Sequence, residues 1–203
     1  MNRRALILAA PILLTGCGTV LDREKYQPRT DWPLDPAPPS ISAATPGSKV
    51  VLVRSVIAGP GLAERGLLTL LPNGSLHRGY YNRWAVPPAD AITASLITWL
   101  QATNGFGAVI GDGSALTPNL IIDATLESLL ADPSTHQARA RLSLVIATPR
   151  GFGESPVLQR QLRAQAPLAG STAADLVTAQ RHVVASLLSQ AVALITNAAR
   201  GTV

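Results

Sequence analysis

The chain has 203 residues, of which 47% are hydrophobic and 4% aromatic, and this length suits a single domain with a substantial core. Its 17 lysines and arginines outnumber 12 acidic residues, giving a net charge of +5 that is spread along the chain. A nucleic-acid-binding protein concentrates its basic residues in a patch or stripe, so the composition argues against a nucleic-acid partner.

The first sixteen residues have the pattern of a bacterial export signal. Arg3 and Arg4 form a basic region, and the uncharged stretch Ala5–Leu14 follows them. This stretch contains Pro11 and is shorter than the ~20 apolar residues that span a bilayer as a helix. We therefore interpret residues 1–16 as a cleaved signal peptide.

Cys17, the one cysteine of the chain, follows Leu14, Thr15 and Gly16. An apolar residue and two small residues before a cysteine resemble a lipobox. The resemblance implies that Cys17 is joined to diacylglycerol and acylated, and two or more acyl chains anchor a protein stably. The alternative is a buried structural cysteine, the common state of a free thiol. Gly18 in place of aspartate implies the periplasmic face of the outer membrane, and we expect no cofactor beyond the covalent lipid.

Residues 17–48 are interpreted as the lipidated N-terminus and a tether. The stretch from Leu21 to Ser48 is rich in proline, with Pro28, Pro33, Pro36, Pro38, Pro39 and Pro46. Proline removes backbone donors and favours extended backbone, so at most one short strand is predicted here, near residues 31–36. A single folded domain is then predicted over residues 49–200.

The start of this domain predicts a strand and then a hairpin. Lys49–Ile57 is rich in β-branched residues, as expected of a buried strand. Leu67–Leu71 and Leu76–Tyr81 flank Asn73-Gly74. Asn-Gly between two apolar runs is a strong hairpin signal.

A helix is predicted to follow the hairpin. It begins at Pro87-Pro88, because proline suits the first helical turn. Its apolar face carries Ile92, Leu96, Trp99, Leu100 and Thr103. Asn104-Gly105 is a typical helix end, and Ala108–Ile110 is then predicted as a short strand.

Three later segments alternate apolar and polar residues and predict the main strands of a sheet, namely Leu120–Glu127, Ala138–Ile146 and Leu158–Ala166. Antiparallel pairing of the first two would set Asp123 and Glu127 against Arg139 and Arg141 on the solvent face. Exposed ion pairs contribute only ~0–1 kcal/mol. We interpret these charges as register control and not as a catalytic site.

The chain closes with a long predicted helix. Thr172 and Asp175 have the spacing of a capping box, and Arg200-Gly201 is a typical end. Its wide apolar stripe consists of Leu176, Val183, Val184, Leu187, Leu188, Ala191, Leu194 and Ile195. Two helices packed on one face of a largely antiparallel sheet make an α+β fold.

The segment YYNRWAVPP, Tyr80–Pro88, is the most unusual of the chain, because it sets three aromatic residues and an arginine before a helix. Tyrosine, tryptophan and arginine are the typical residues of binding hot spots. Tyr80, Tyr81, Arg83 and Trp84 are therefore candidate partner-binding residues. In the alternative, structural interpretation, Trp84 fills the gap between sheet and helix and Arg83 caps a local group.

Together these features resemble the ABC-type transport auxiliary lipoprotein family of the paraquat-inducible protein C type. The likeness lies in the lipobox, in the NRWAVPP motif before an amphipathic helix, and in the later strands and closing helix. Trp32-Pro33 departs from the aromatic pair usual in the family's first strand.

The resemblance implies a docking component that works beside an ABC permease and ATPase and a membrane-anchored MCE-domain protein. Such systems move phospholipids or other apolar molecules between the two membranes. No catalytic residue is implied, and a homo-oligomer is compatible with this role.

Three other functions were weighed against this one. The sequence has no Gly-x-Ser-x-Gly, P-loop, His-Glu-x-x-His or Cys/His metal motif, and His77, His136 and His182 lack an acid or nucleophile at motif spacing. We therefore expect neither an enzyme nor a metal site. A stand-alone lipid-binding shuttle would need an apolar cavity between sheet and helices. An assembly lipoprotein of another envelope machine would be recognised by the partner that it captures.

Overall fold

Residues 26–39 and 47–201, the part that the computed structural model describes, contain nine strands and two helices. In chain order these are β1 (Thr30–Trp32), β2 (Val50–Val53), β3 (Ile57–Ala58), β4 (Gly66–Leu70), β5 (Leu76–Trp84), α1 (Pro88–Ala102), β6 (Ala108–Ile110), β7 (Leu120–Asp132), β8 (Gln137–Arg150), β9 (Gly153–Pro167) and α2 (Ala173–Arg200). The predicted α+β class is confirmed. The predicted signal peptide, residues 1–16, and Cys17 lie outside the described residues.

β7 is the central strand of one mixed sheet. One of its edges pairs antiparallel with β8, which pairs antiparallel with β9. The other edge receives β2, β3 and β4 in succession, all parallel to β7. β6 lies beside β2, and β5 and then β1 lie beside β4. The three longest strands are thus antiparallel, as predicted, and short parallel pairs extend the sheet.

The predicted strand Lys49–Ile57 is divided into β2 and β3. At the break, the amide and the hydroxyl of Ser55 both donate to Asp112, each at 2.8 Å. The amide of Val56 donates to Thr93 Oγ1 of α1 at 2.9 Å. Side chains therefore satisfy the backbone where the sheet ladder is interrupted.

The predicted pairing of Asp123 and Glu127 with Arg139 and Arg141 across β7 and β8 is wrong. A bulge in β7 at Glu127 shifts the register of the two strands. Asp123 instead accepts a hydrogen bond at 3.2 Å from Arg54, the residue that follows β2. Arg139 binds Asp132 beside the β7–β8 turn. The bulge keeps the apolar residues of both halves of β7 on the buried face.

Both helices begin and end as predicted. α1 has Pro88 in its first turn and ends at Ala102, with Thr103 as its C-cap. α2 begins with a capping box between Thr172 and Asp175, in which each side chain accepts from the backbone of the other. It ends at Arg200, and its C-cap Gly201 has a φ of 72°, in the left-handed region that glycine adopts readily.

α2 is long and apolar enough to cross a membrane by length and composition alone. Its stripe is buried against β7, β8 and β9, and forms one continuous core with the sheet and α1. The most buried residues of the stripe are Val183, Val184, Leu187, Leu188, Ala191 and Ile195. The stripe that a shuttle would use to line a cavity therefore contributes to the core.

The folded domain includes residues that precede the predicted boundary at residue 49. Thr30–Trp32 forms the edge strand β1 and pairs parallel with Asn82–Trp84 of β5. The short strand expected near residues 31–36 thus forms at the start of that range. Part of the segment interpreted as a tether therefore belongs to the sheet.

Residues 29–36, which we refer to as the strap, are fastened to the domain beyond β1. Leu34 is buried in the core. The indole of Trp99 donates to the carbonyl oxygen of Pro36 at 2.8 Å. Arg181 of α2 donates to the carbonyl oxygen of Pro33 at 2.6 Å. The strap therefore runs from the sheet edge across both helices.

Leu126→Ala is expected to lower the free energy of unfolding by about 2–5 kcal/mol, because Leu126 is fully buried at the centre of β7 and its loss leaves a cavity. Leu116→Ala, at a side chain that is 53% exposed, is the matched control and should cost less than about 0.5 kcal/mol. Urea unfolding followed by circular dichroism measures both. Equal effects would contradict the place of β7 in the core.

Candidate functional site

The unusual YYNRW segment is the end of β5, and its first three residues lie in a large bulge. β5 pairs regularly with β4 up to Arg78, and the next registered pair is Gly66 with Arg83. Residues 79–82 thus lie opposite the single residue Leu67. Gly79 allows this conformation, since a Cβ there would lie 2.8 Å from the carbonyl oxygen of Asn82. A Cβ at Gly66 would lie 2.4 Å from the Arg78 side chain.

The bulge borders an open surface groove of about 670 Å³, which we refer to as the bulge groove. Its charged and aromatic lining comes from the strap, from the segment before β4 and from β5, with Arg29, Glu64, Arg65, Arg78, Tyr80 and Arg83. Four arginines and one glutamate give the groove a positive excess. Three separate chain segments are needed to build it.

Two of the four arginines are paired with carboxylates. Arg83 donates to Asp31 of β1 at 2.6 Å, which ties the bulge to the strap. Arg78 lies 3.2 Å from Glu64 and also donates to the carbonyl oxygen of Gly61 at 2.6 Å. The Nη1 atom of Arg78 is buried and has no hydrogen-bond partner within residues 26–39 and 47–201.

The other two arginines, Arg29 and Arg65, form no ion pair with a carboxylate of the described residues. Arg65 donates to the carbonyl oxygen of Ala85 at 2.7 Å. The guanidinium carbon of Arg29 lies 4.1 Å from the centroid of the Tyr80 ring, and Arg29 also donates to the Tyr80 hydroxyl. Both charges remain available to a ligand.

The structure separates the four residues that the sequence grouped as partner-binding. Tyr80 and Tyr81 are 64% and 43% exposed, and their rings meet edge to face with centroids 5.1 Å apart. Arg83 is partly buried by its pair with Asp31. Trp84 is 1% exposed and belongs to the core. This corrects the expectation that Trp84 lies on a partner-binding surface.

The sequence reasoning missed Arg29, Arg65 and Arg78, which reach the groove from separate parts of the chain. A local signal for the bulge was present, since an isolated glycine inside a strand marks a bulge or a close approach, as Gly66 and Gly79 do.

The three histidines lie on separate elements, with His77 on β5, His136 in the β7–β8 turn and His182 on α2. Among the residues that the structure describes, no group of three or more histidine, cysteine, aspartate or glutamate side chains could hold a metal ion.

Protonation of Asp31 is expected to loosen the strap. The hydrogen bond from Arg83 holds the pKa of Asp31 below its ordinary value of 3.8. The bond therefore stabilises the strap fully above the ordinary pKa, and its contribution is lost as pH falls through the lower pKa of the folded state. The indole N–H of Trp32, which donates to Asn82 at 3.1 Å, reports the loss by NMR.

We expect this indole resonance to shift on acidification below pH ~4 in the wild type. In Asp31→Asn the shift should be absent. Asp35→Asn, at a strap carboxylate that is 75% exposed and 3.8 Å from Arg181, is the control and should retain it. An unchanged acid shift in Asp31→Asn would contradict the role of the Asp31–Arg83 pair.

Comparison with known proteins agrees with the fold and with the resemblance seen in the sequence. The protein XCC0632 of Xanthomonas campestris superposes with a TM-score of 0.72 at 16% identity, over 85% of this chain and 99% of that chain. The hypothetical protein CT253 of Chlamydia trachomatis superposes with a TM-score of 0.54 at 14% identity, over 76% and 99% of the two chains. At such low identity these structures show the fold alone.

No curated protein matches the chain. The family model of the ABC-type transport auxiliary lipoprotein component matches residues 33–192, which is most of the chain and nearly all of the described domain. The chain therefore belongs to the ABC-type transport auxiliary lipoprotein family.

Proposed function

We propose that this chain is the docking component of an MCE-type ABC transport system, anchored on the periplasmic face of the outer membrane. The system would move phospholipids or other apolar molecules across the envelope. The observation that carries this proposal is the family match over residues 33–192. The sequence before it, which resembles a signal peptide and a lipobox ending at Cys17, supports the proposal. The chain itself binds and positions a partner and catalyses no reaction.

The chain between the proposed lipid at Cys17 and the domain is short, which supports a role close to a membrane surface. An extended chain spans at most ~3.6 Å per residue, so Cys17 lies within roughly 45 Å of Thr30, where the sheet begins. A tether reaching residue 49 would have allowed more than twice this distance. The fastened strap thus favours a component that stays near its membrane and meets a partner there.

The bulge groove and the neighbouring Tyr80 and Tyr81 are the surface that best suits a partner. Exposed tyrosines beside arginines are the composition of binding hot spots. We assign docking on the MCE-domain protein to Tyr80, Tyr81 and Arg83. The burial of the α2 stripe in the core favours this docking role over a stand-alone lipid shuttle.

Cys17→Ser is expected to abolish incorporation of labelled fatty acid and to leave residues 1–16 attached, because the thiol is the acylated group. Labelling with radioactive palmitate and the mass of the isolated protein measure both effects. Gly18→Asp is the matched control, which should retain the lipid and shift the protein toward the inner membrane. Labelling of Cys17→Ser at the wild-type level would contradict the anchor.

Gentle extraction of the full-length lipoprotein from its own membranes is expected to recover an MCE-domain protein and an ABC permease, identified by mass spectrometry. An unrelated outer-membrane lipoprotein isolated in parallel is the control. Recovery of bound lipid without these proteins would favour the shuttle, and recovery of another envelope machine would favour an assembly role. Native mass spectrometry of the same sample gives the number of copies of this chain.

A further inference from the structure

The bulge groove has more positive charge than its own carboxylates neutralise. Asp31 and Glu64 are engaged by Arg83 and Arg78. Arg29 and Arg65 have no carboxylate partner in the described parts of the chain, and both line the groove. A ligand that complements this surface carries negative charge.

One arginine of the groove, Arg83, already binds a carboxylate, that of Asp31, in the way that we expect for a ligand carboxylate. Asp31 accepts from two nitrogens of Arg83, at 2.6 Å and 3.4 Å. Arginine binds carboxylates well through such paired contacts, because its guanidinium presents several donors in one plane.

Two features favour a protein segment over a lipid headgroup. Tyr80 and Val86 expose aromatic and apolar surface in the groove, and the exposed Tyr81 lies against Tyr80 beside it, whereas a headgroup phosphate needs no such surface. In addition, β1 pairs only with Asn82–Trp84 on the outer edge of β5, so Leu76–Arg78, which precede the bulge, have no strand paired on that edge within the described structure. Extended peptides bind such free edges through backbone hydrogen bonds.

We propose that the bulge groove binds an extended acidic segment of the partner protein, with Arg65 and Arg29 as the residues that select its carboxylates. This inference rests on the proposed docking function and specifies the chemistry of the dock. Tyr80 in the groove and Tyr81 beside it supply the apolar contacts, and the arginines disfavour basic segments by repulsion.

The first test measures binding of a fluorescein-labelled octaglutamate peptide to the full-length lipoprotein in a nonionic detergent, by fluorescence anisotropy at low salt. Arg65→Glu is expected to weaken binding by roughly fivefold or more, since a favourable charge contact is replaced by repulsion. Arg160→Glu, at an exposed arginine of β9 that donates to the adjacent carbonyl of Gln159, is the matched control and should change binding by less than about twofold.

Arg29→Ala is a second variant, since Arg29 precedes β1 and its removal leaves the core intact. We expect it to weaken octaglutamate binding as well, while Arg65→Lys should retain most of it. Thermal unfolding of each variant verifies the fold. An affinity for octaglutamate that is unchanged in both Arg65→Glu and Arg29→Ala would overturn the proposal. Binding to phosphatidylglycerol vesicles that Arg65→Glu abolishes, together with no binding of octaglutamate, would overturn it in favour of a lipid headgroup.

The second test places the photo-cross-linker p-benzoylphenylalanine at Tyr81 in cells, with the same substitution at Ser189, an exposed residue of α2, as the control. We expect the cross-linker at position 81 to label an acidic peptide, and we expect Arg65→Glu to abolish the cross-linked product. An acidic product from a protein outside any ABC system would uphold this inference and defeat the proposed function. Two outcomes would overturn this inference and leave the proposed function standing. In one, the MCE-domain protein is recovered but position 81 gives no cross-link. In the other, the cross-linked peptide is neutral or basic.

Discussion

Pairing on both edges of β7 is the constraint on which the rest of the structure depends. β8 occupies one edge throughout, while β2, β3 and β4 share the other in sequence. Three strands of two to five residues are too short to persist alone, and they gain their order from the ladder of β7. The bulge at Glu127 keeps β7 apolar on its inner face, where α2 covers it.

Local patterns in the sequence predicted the elements that make most of their contacts nearby. The alternation of β7, β8 and β9, the proline start of α1 and the capping box of α2 were all confirmed. The parallel pairs join distant segments, as Val51 and Leu120 do, and no local periodicity reports such pairing. The strap was hidden for a similar reason, because its prolines indicate a linker while its contacts come from Trp99 and Arg181.

The candidate site was predicted in part. Composition alone identified the YYNRW segment, but alternation along a bulged strand does not tell which aromatic side chains face solvent. Tyr80 and Tyr81 lie outside and Trp84 inside because residues 79–82 leave the ladder before β5 rejoins it. The arginines at positions 29, 65 and 78 meet only in the folded chain, so their shared positive charge could be recognised only from the structure.

The Asp31–Arg83 pair has a mechanical consequence under the proposed lipid anchor at Cys17. The strap is where the N-terminal part of the described chain joins the domain, and β1 is a three-residue edge strand. A pull on the proposed anchor would load β1 and its ion pair before it reached the core. Since Arg83 lines the bulge groove, such tension would act directly on the surface that we propose for docking.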